Sequence, residues 1–335
     1  MHDTAGQAAS APALVSTQWL AEQLRGGGRR VVALDASWRF EAPDLLGIGD
    51  DSWIGRLLGR NSPKLKKPTV SDDFAQRRIR GARFSGLDKF SSELSTMPNM
   101  VTENSEFFKA LADQLLSTET HLAGQLGVSP DDHVVVYDSV GMHSAPRAWW
   151  VFKYFGHDRV SVLDGGLPKW IREGLPIDEG SKTEPYATTY PAREPRKDMV
   201  IGLRELGLSI SDFSSAEPLF ILDARPVNRF SGWGPEPREQ VKSGHIPSSI
   251  NIPHTMLLSS DGTLMPPPEL AELFISRIPD FRRRDIVTMS GSGVTAALLN
   301  LALEQAGHMG RRRLFDGSWT QWALHPKGPI STWGA

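Results

Sequence analysis

Residues 287–300 read Val-Thr-Met-Ser-Gly-Ser-Gly-Val-Thr-Ala-Ala-Leu-Leu-Asn, a short Gly-rich loop between an apolar run and an apolar helix. Successive backbone N–H groups in such a loop, followed by a helix N-terminus, form a concave cradle for an anion. Ser290 enters that cradle where a nucleophile would stand. A serine hydroxyl stays protonated unless a strong base lies beside it, and nothing in the 289–295 segment supplies one. A serine hydrolase or phosphatase-like reading is therefore disfavoured, and anion chemistry in the cradle is what the loop itself supports.

The elements that must hold this loop occur twice. Val31-Val32-Ala33-Leu34-Asp35-Ala36 matches Leu219-Phe220-Ile221-Leu222-Asp223-Ala224, and Arg78-Ile79-Arg80-Gly81-Ala82 matches His245-Ile246-Pro247-Ser248-Ser249. Val134-Val135-Val136-Tyr137-Asp138 matches Ile286-Val287-Thr288-Met289-Ser290. Val162-Leu163-Asp164-Gly165-Gly166 with Trp170 matches Leu314-Phe315-Asp316-Gly317-Ser318 with Trp322. The last two pairs share one offset of 152 residues. A duplicated unit follows. In each half short β-branched runs alternate with amphipathic helices, the pattern of a parallel α/β sheet with functional loops at the strand C-termini. The expected division is a flexible N-terminus (1–13), a first domain (14–177), a polar, Pro-containing linker (178–198) and a second domain carrying the loop (199–328). Residues 41–71 form a Gly/Pro/Lys-rich insertion, a lid or a disordered excursion, with disorder favoured.

At 335 residues, 39% hydrophobic and 23% charged, the chain has the composition of an ordinary globular protein of about two domains. A net charge of −2 gives no reason to expect nucleic acid or an acidic membrane, and no apolar run approaches the ~18 residues of a membrane span. The first sixteen residues contain no Arg and no compact apolar core, unlike a secretory signal or a transit peptide. A cytosolic location is expected by elimination, with a mitochondrial one as the alternative. There is no cysteine, which excludes disulfides, Cys-based metal sites and a protein persulfide. No His or carboxylate spacing suggests a metal, and no cofactor is expected.

Taken together, Leu34-Asp35-Ala36-Ser37-Trp38, Ser144-Ala145-Pro146-Arg147-Ala148-Trp149-Trp150, Leu163-Asp164-Gly165-Gly166, Gly244-His245-Ile246-Pro247 and Asp316-Gly317-Ser318-Trp319 resemble the tandem-rhodanese sulfurtransferases over nearly the whole chain. The 290–295 loop is similar to the Cys-Gly-Ser-Gly-Val-Thr form of the 3-mercaptopyruvate type, with serine in the cysteine's place. The resemblance implies two rhodanese-like α/β domains, each a doubly wound, mostly parallel sheet with helices on both faces. It implies a silent first half, with Asp138 in the nucleophile slot, and an active site in the second half facing the interdomain cleft. Sulfur transfer of this kind uses a thiolate that takes sulfur from a donor, holds it as a persulfide and passes it to an acceptor. A helix N-terminus favours such a thiolate, whereas Ser290 is expected to be inactive. Replacement of a lone cysteine and descent from a lineage that lost it fit the sequence equally.

The resemblance also implies site residues. Gly291, Gly293, Val294 and Thr295 complete the loop. Uncharged Gly291 and Ser292 match the mercaptopyruvate type, where thiosulfate-preferring relatives carry cations. Arg229 and Arg238 match the substrate-binding arginines by motif, the alternative being two solvated surface arginines. Ser292 matches a serine used with an Asp and a His in activating the substrate. Asp88 fits that Asp position or is a surface carboxylate, and the His position falls near Asn99. The implied partners are a small-molecule sulfur donor, a thiol or cyanide acceptor, and an acceptor protein. The rival is a non-catalytic module holding an anion or a partner's tail in the same cradle. Among the remaining residues, His245 reads as a structural turn histidine. Asp35, Asp164, Asp223 and Asp316 read as turn caps, and the arginine triplets 282–284 and 311–313 as a solvated charged face, the alternative being a dock for an acidic partner.

Overall fold

The computed structural model describes residues 11–26, 30–38, 69–87, 122–180, 188–191, 193–211, 219–238 and 240–333. Asp88, Asn99, residues 1–10 and most of the 41–71 segment lie outside the described residues.

The first half runs β1 (Leu14–Val15), α1 (Thr17–Arg25), β2 (Val31–Asp35), α2 (Val70–Gln76), β3 (Arg78–Ile79), β4 (Arg83–Phe84), α3 (Leu122–Gln125), β5 (His133–Tyr137), α4 (Ala145–Tyr154), β6 (Val160–Leu163), α5 (Gly166–Arg172) and β7 (Ile177–Asp178). The second runs α6 (Leu203–Ser211), β8 (Phe220–Asp223), α7 (Val227–Ser231), β9 (Ile250–Asn251), α8 (Pro267–Ile275), β10 (Ile286–Met289), α9 (Ala296–Gln305), β11 (Arg312–Leu314) and α10 (Ser318–Leu324). The parallel sheets have orders β1-β6-β5-β2-β4 and β11-β10-β8-β9. A parallel bridge from Val200 to Leu314 takes, beside β11, the place that β1 holds beside β6. The antiparallel β3–β7 pair has a counterpart in the bridge between His245 and Ser331. The sequence duplication is thus a duplication of strand order.

Both faces of each sheet are covered. All five residues of β5 are buried, and its side chains alternate between layers. Val134 and Val136 pack with α4, while Val135 and Tyr137 pack with Leu20 of α1 and Trp170 of α5. In the second half Val287 and Met289 meet Trp319 and Trp322 of α10, and Ile286 faces the layer of α8 and α9. Helix α9 is buried from Ala296 through Leu303; its one polar side chain there, Asn300, donates to the Thr288 hydroxyl of β10, which removes the cost of burying an amide unpaired.

Helices α4 and α9 are the interface. Their apolar side chains belong to one continuous core that joins the halves. Each helix starts directly after the loop that follows its central strand, so pairing the helices brings the two loops to one cleft. Two polar contacts reinforce the pairing. Arg147 of α4 forms a buried 2.6 Å ion pair with Asp316, and the Leu264 N–H donates to Asp164 across the same boundary at 2.8 Å. This corrects part of the capping expectation. Asp35 and Asp223 accept from Ser37 and Arg225 in their own turns, but Asp164 and Asp316, equivalent in the repeat, reach into the opposite half. The 311–313 triplet is also corrected: Arg313 is buried in β11 and paired with Glu205, and Arg312 pairs with Glu304 at 3.1 Å. No helix among the described residues is long and apolar enough to cross a membrane.

Two buried histidines give the first half an acid sensitivity. Burial holds His133 and His157 down at about 4, and each is fixed as a neutral imidazole, His133 against Ser161 at 2.7 Å and His157 against the Tyr190 hydroxyl at 2.7 Å. An unfolded histidine binds its proton near ~6.5. Between these values the unfolded chain takes up protons that the native chain refuses, so stability falls as pH drops through that window. Asp35, pushed up to about 6 by burial, acts in the opposite sense and offsets about one histidine. Urea melts across this range should show stability decreasing toward acid, and His133→Gln or His157→Gln should flatten the slope. An unchanged slope in both variants would contradict the assignment.

Candidate active site

Ser290 follows the last residue of β10 and is buried. Its N–H donates to the Ser318 hydroxyl at 3.1 Å, and its carbonyl accepts from the Trp319 N–H at 2.9 Å. The Gly291 carbonyl accepts from the Thr320 N–H and hydroxyl, at 3.1 and 2.7 Å. The loop backbone at Ser290 and Gly291 is therefore stitched to the start of α10. Gly293 adopts φ +79, and a Cβ there would lie 2.9 Å from Asp316 Oδ1, so only glycine fits.

The first half shows what such a loop does. The Asp138 carboxylate, in the slot equivalent to Ser290, accepts backbone N–H groups from Val140 and Gly141 on Oδ1 and from His143, Ser144 and Ala145 on Oδ2, at 2.6–3.1 Å. That cradle is filled by an anion built into the chain. The equivalent positions in the second half are Ser292, Gly293, Thr295, Ala296 and Ala297. None of the described residues accepts from the N–H of Gly293, Thr295 or Ala296, and Ser290 brings no charge. An equivalent loop thus surrounds a neutral side chain.

The arginines stand beside it. Arg225, at the end of β8, is buried between Asp223 at 2.6 Å and Glu236 at 2.9 Å, with its guanidinium 4.3 Å from the Trp319 ring. The Glu236 side chain is itself buried and also grips Arg229 of α7 through Nε and Nη2. This clamp sets Arg229 Nη2 2.9 Å from the place a Cβ on Gly291 would occupy. Arg238 donates to the Thr320 hydroxyl at 3.1 Å, the same hydroxyl that holds the Gly291 carbonyl. Burial, and secondarily the charge of Arg229, lower the Arg238 pKa from its ordinary value, with Glu236 opposing. Arg229 and Arg238 both line a cleft of about 400 Å³ together with Ser290, Gly291, Ser292 and Thr295.

Three further residues that line this cleft carry no role in the sequence reading. Trp38 and His143 come from the first half and His254 from the second. His143 stacks on Trp38 with centroids 6.1 Å apart and meets His254 edge-on at 5.6 Å. The signal available was position: Trp38 follows β2, His254 follows β9, and His143 sits at the repeat position of Thr295, all at C-terminal ends of parallel strands, where such sheets bind ligands. His245 is structural, its Nδ1 donating to the Phe230 carbonyl at 2.9 Å and its ring stacked on Phe230.

A model of the Rhodanese-like domain matches the chain twice, over residues 69–173 and 210–325. The chain belongs to the rhodanese family. It is a tandem-rhodanese protein, similar over most of its length to enzymes named 3-mercaptopyruvate sulfurtransferase. The Homo sapiens relative is 33% identical over 94% of this chain and 93% of its own, and that of Escherichia coli strain K12 is 33% identical over 89% and 99%. The crystal structure of SseA from Escherichia coli matches with a TM-score of 0.67 at 28% identity, over 92% of this chain and 99% of that one. The Tum1 protein of Saccharomyces cerevisiae matches at 0.74 and 26%, over 95% and 97%. The family is one of sulfur-transferring enzymes, which take small-molecule donors and acceptors.

Proposed function

We propose that this tandem-rhodanese protein has the donor site of a 3-mercaptopyruvate sulfurtransferase and that Ser290 leaves it able to bind the donor but unable to take its sulfur. The observation that carries this reading is the paired loops, one filled by Asp138 and the other leaving the N–H groups of Gly293, Thr295 and Ala296 without an acceptor among the described residues, around an uncharged Ser290. A thiolate or persulfide at position 290 is the anion that the second cradle suits. Asp88 in a substrate-activating role with Ser292, and the division at residues 178–198, belong to this proposal. Small thiols or cyanide, or an acceptor protein, would take the sulfur, in the cytosol or in mitochondria.

Charge supports 3-mercaptopyruvate over thiosulfate. Asp223, Arg225, Glu236, Arg229 and Arg238 sum to one net positive charge, which one carboxylate balances and a dianion overshoots. Bidentate pairing with a carboxylate suits a guanidinium's fork. Titrating the unaltered protein with 3-mercaptopyruvate should give saturable binding with no transfer of sulfur to cyanide. Robust transfer would overturn the assignment of position 290.

The binding-module reading rests on the same cradle and has its own test. Ser290→Asp should let the new carboxylate collect the loop N–H groups as Asp138 does. After the cost of burying the charge, a gain of about 1–3 kcal/mol in unfolding free energy is expected. Binding of small anions such as sulfate or pyruvate at this site should be lost. A destabilised Ser290→Asp protein would mean that the two loops are not equivalent.

A further inference from the structure

The cleft contains two imidazoles, one from each half, in ring contact with each other and lining the same cavity as the three arginines. His254 Nδ1 lies 3.4 Å from the Ala224 carbonyl. A carbonyl can only accept, so the neutral ring carries its hydrogen on Nδ1 and presents the lone pair of Nε2 as an acceptor. His143 fixes the ring from the side, and is itself fixed by the Trp38 stack and by its N–H bond to Asp138 at 2.9 Å. The other charged groups of this cavity are Arg225, Arg229 and Arg238, with Glu236 held between the first two. All of these are cations or a compensated anion, leaving His254 as a neutral acceptor at the site. Its pKa is lowered from the ordinary histidine value, first by burial and then by the neighbouring His143, with the Ala224 bond opposing.

We propose that His254, positioned by His143 and Trp38, accepts the thiol proton of a mercapto acid whose carboxylate is held by the arginines. The proposal rests on the donor-binding reading above. In the Ser290 protein it is a binding interaction, S–H to Nε2, that thiosulfate, which has no hydrogen to give, does not make. With cysteine at 290 it becomes a chemical step. The thiolate attacks the donor sulfur, the S–S bond forms as the C–S bond breaks, and the electron pair leaves on carbon as the enolate of pyruvate. The thiol proton passes to Nε2 and returns to that carbon, so no outside base, oxidant or reductant is consumed.

The unaltered protein suffices for the binding test. Calorimetry with 3-mercaptopropionate and with propionate isolates the thiol's contribution. A weak S–H donor should make the thiol ligand bind about 3-fold tighter at neutral pH, the low end for one net hydrogen bond. That ratio should fall to one in His254→Phe and persist in His254→Gln, whose amide oxygen still accepts. Acidification should abolish the ratio in the unaltered protein, as Nε2 becomes a donor, but not in His254→Gln, which does not titrate. In a Ser290→Cys background, His254→Phe should lower kcat for 3-mercaptopyruvate by about 100-fold or more, the usual scale of a lost general base, with KM little changed. A thiol ratio kept in His254→Phe would overturn the role of His254 while leaving the arginine site intact. Failure of both carboxylates to bind the unaltered protein would overturn the donor-site reading itself.

Discussion

Replacing Ser290 with cysteine should carry sulfur transfer from 3-mercaptopyruvate to cyanide or a thiol from background to an enzymatic rate, on the order of 1 s⁻¹ or faster. The expectation follows from what surrounds residue 290. A free cysteine titrates near ~8.5, and a helix N-terminus with nearby cations lowers it toward about 3.5–7.5. Here the slot faces the N-terminus of α9, the N–H groups of Gly293, Thr295 and Ala296, and Arg229 across Gly291. The exchange replaces an oxygen by a sulfur in a loop whose backbone is already stitched to α10, so the fold has little to rearrange. A well-folded Ser290→Cys protein without transfer would favour the binding-module reading, because the supporting groups would then be insufficient.

Donor choice in that background should depend on Arg238 and Arg229 in different ways. Losing a bidentate carboxylate contact of about 2–3 kcal/mol corresponds to roughly 30- to 150-fold in kcat/KM. Arg238→Ala should impose this on 3-mercaptopyruvate and much less on thiosulfate, which has no carboxylate. Arg229→Ala also strips Glu236 of one of its two partners and leaves that buried carboxylate with Arg225, so some loss with both donors is expected on top of the selective one. Equal losses with both donors in Arg238→Ala would mean that this arginine holds the loop, through Thr320, rather than reading the substrate. Making the loop cationic calls for Ser292→Lys alone. A side chain on Gly291 would collide with the Arg229 guanidinium and remove the very contact under comparison.

The repeat was legible because strands buried on both faces write themselves as unbroken apolar runs, and β5 and β10 do so at a fixed offset. The loop was legible because Gly293 and its neighbours mark a backbone that approaches something closely. Arg229 and Arg238 were readable by motif, but the reason for their placement was not. Glu236, to which the sequence assigns no role, is the anion with a buried side chain on which both Arg225 and Arg229 are hung. Asp138 was placed in the nucleophile slot from sequence, yet its five backbone bonds show a filled cradle rather than a merely lost one. Asp164 and Asp316 looked like local caps because a sequence displays neighbours along the chain; their partners sit in the other half. The Trp38–His143–His254 wall was invisible for the same reason, since it is assembled only when α4 and α9 pack.

The most direct measurement is the intact mass of the Ser290→Cys protein after a single exposure to 3-mercaptopyruvate, with the unaltered protein treated in parallel. One added sulfur atom at position 290 of the variant, removed by cyanide, with no adduct on the unaltered protein, is the expected result. A sulfur adduct on the Ser290 protein, or a folded variant that gains no sulfur at that position, would contradict the view that this site is complete except for its thiol.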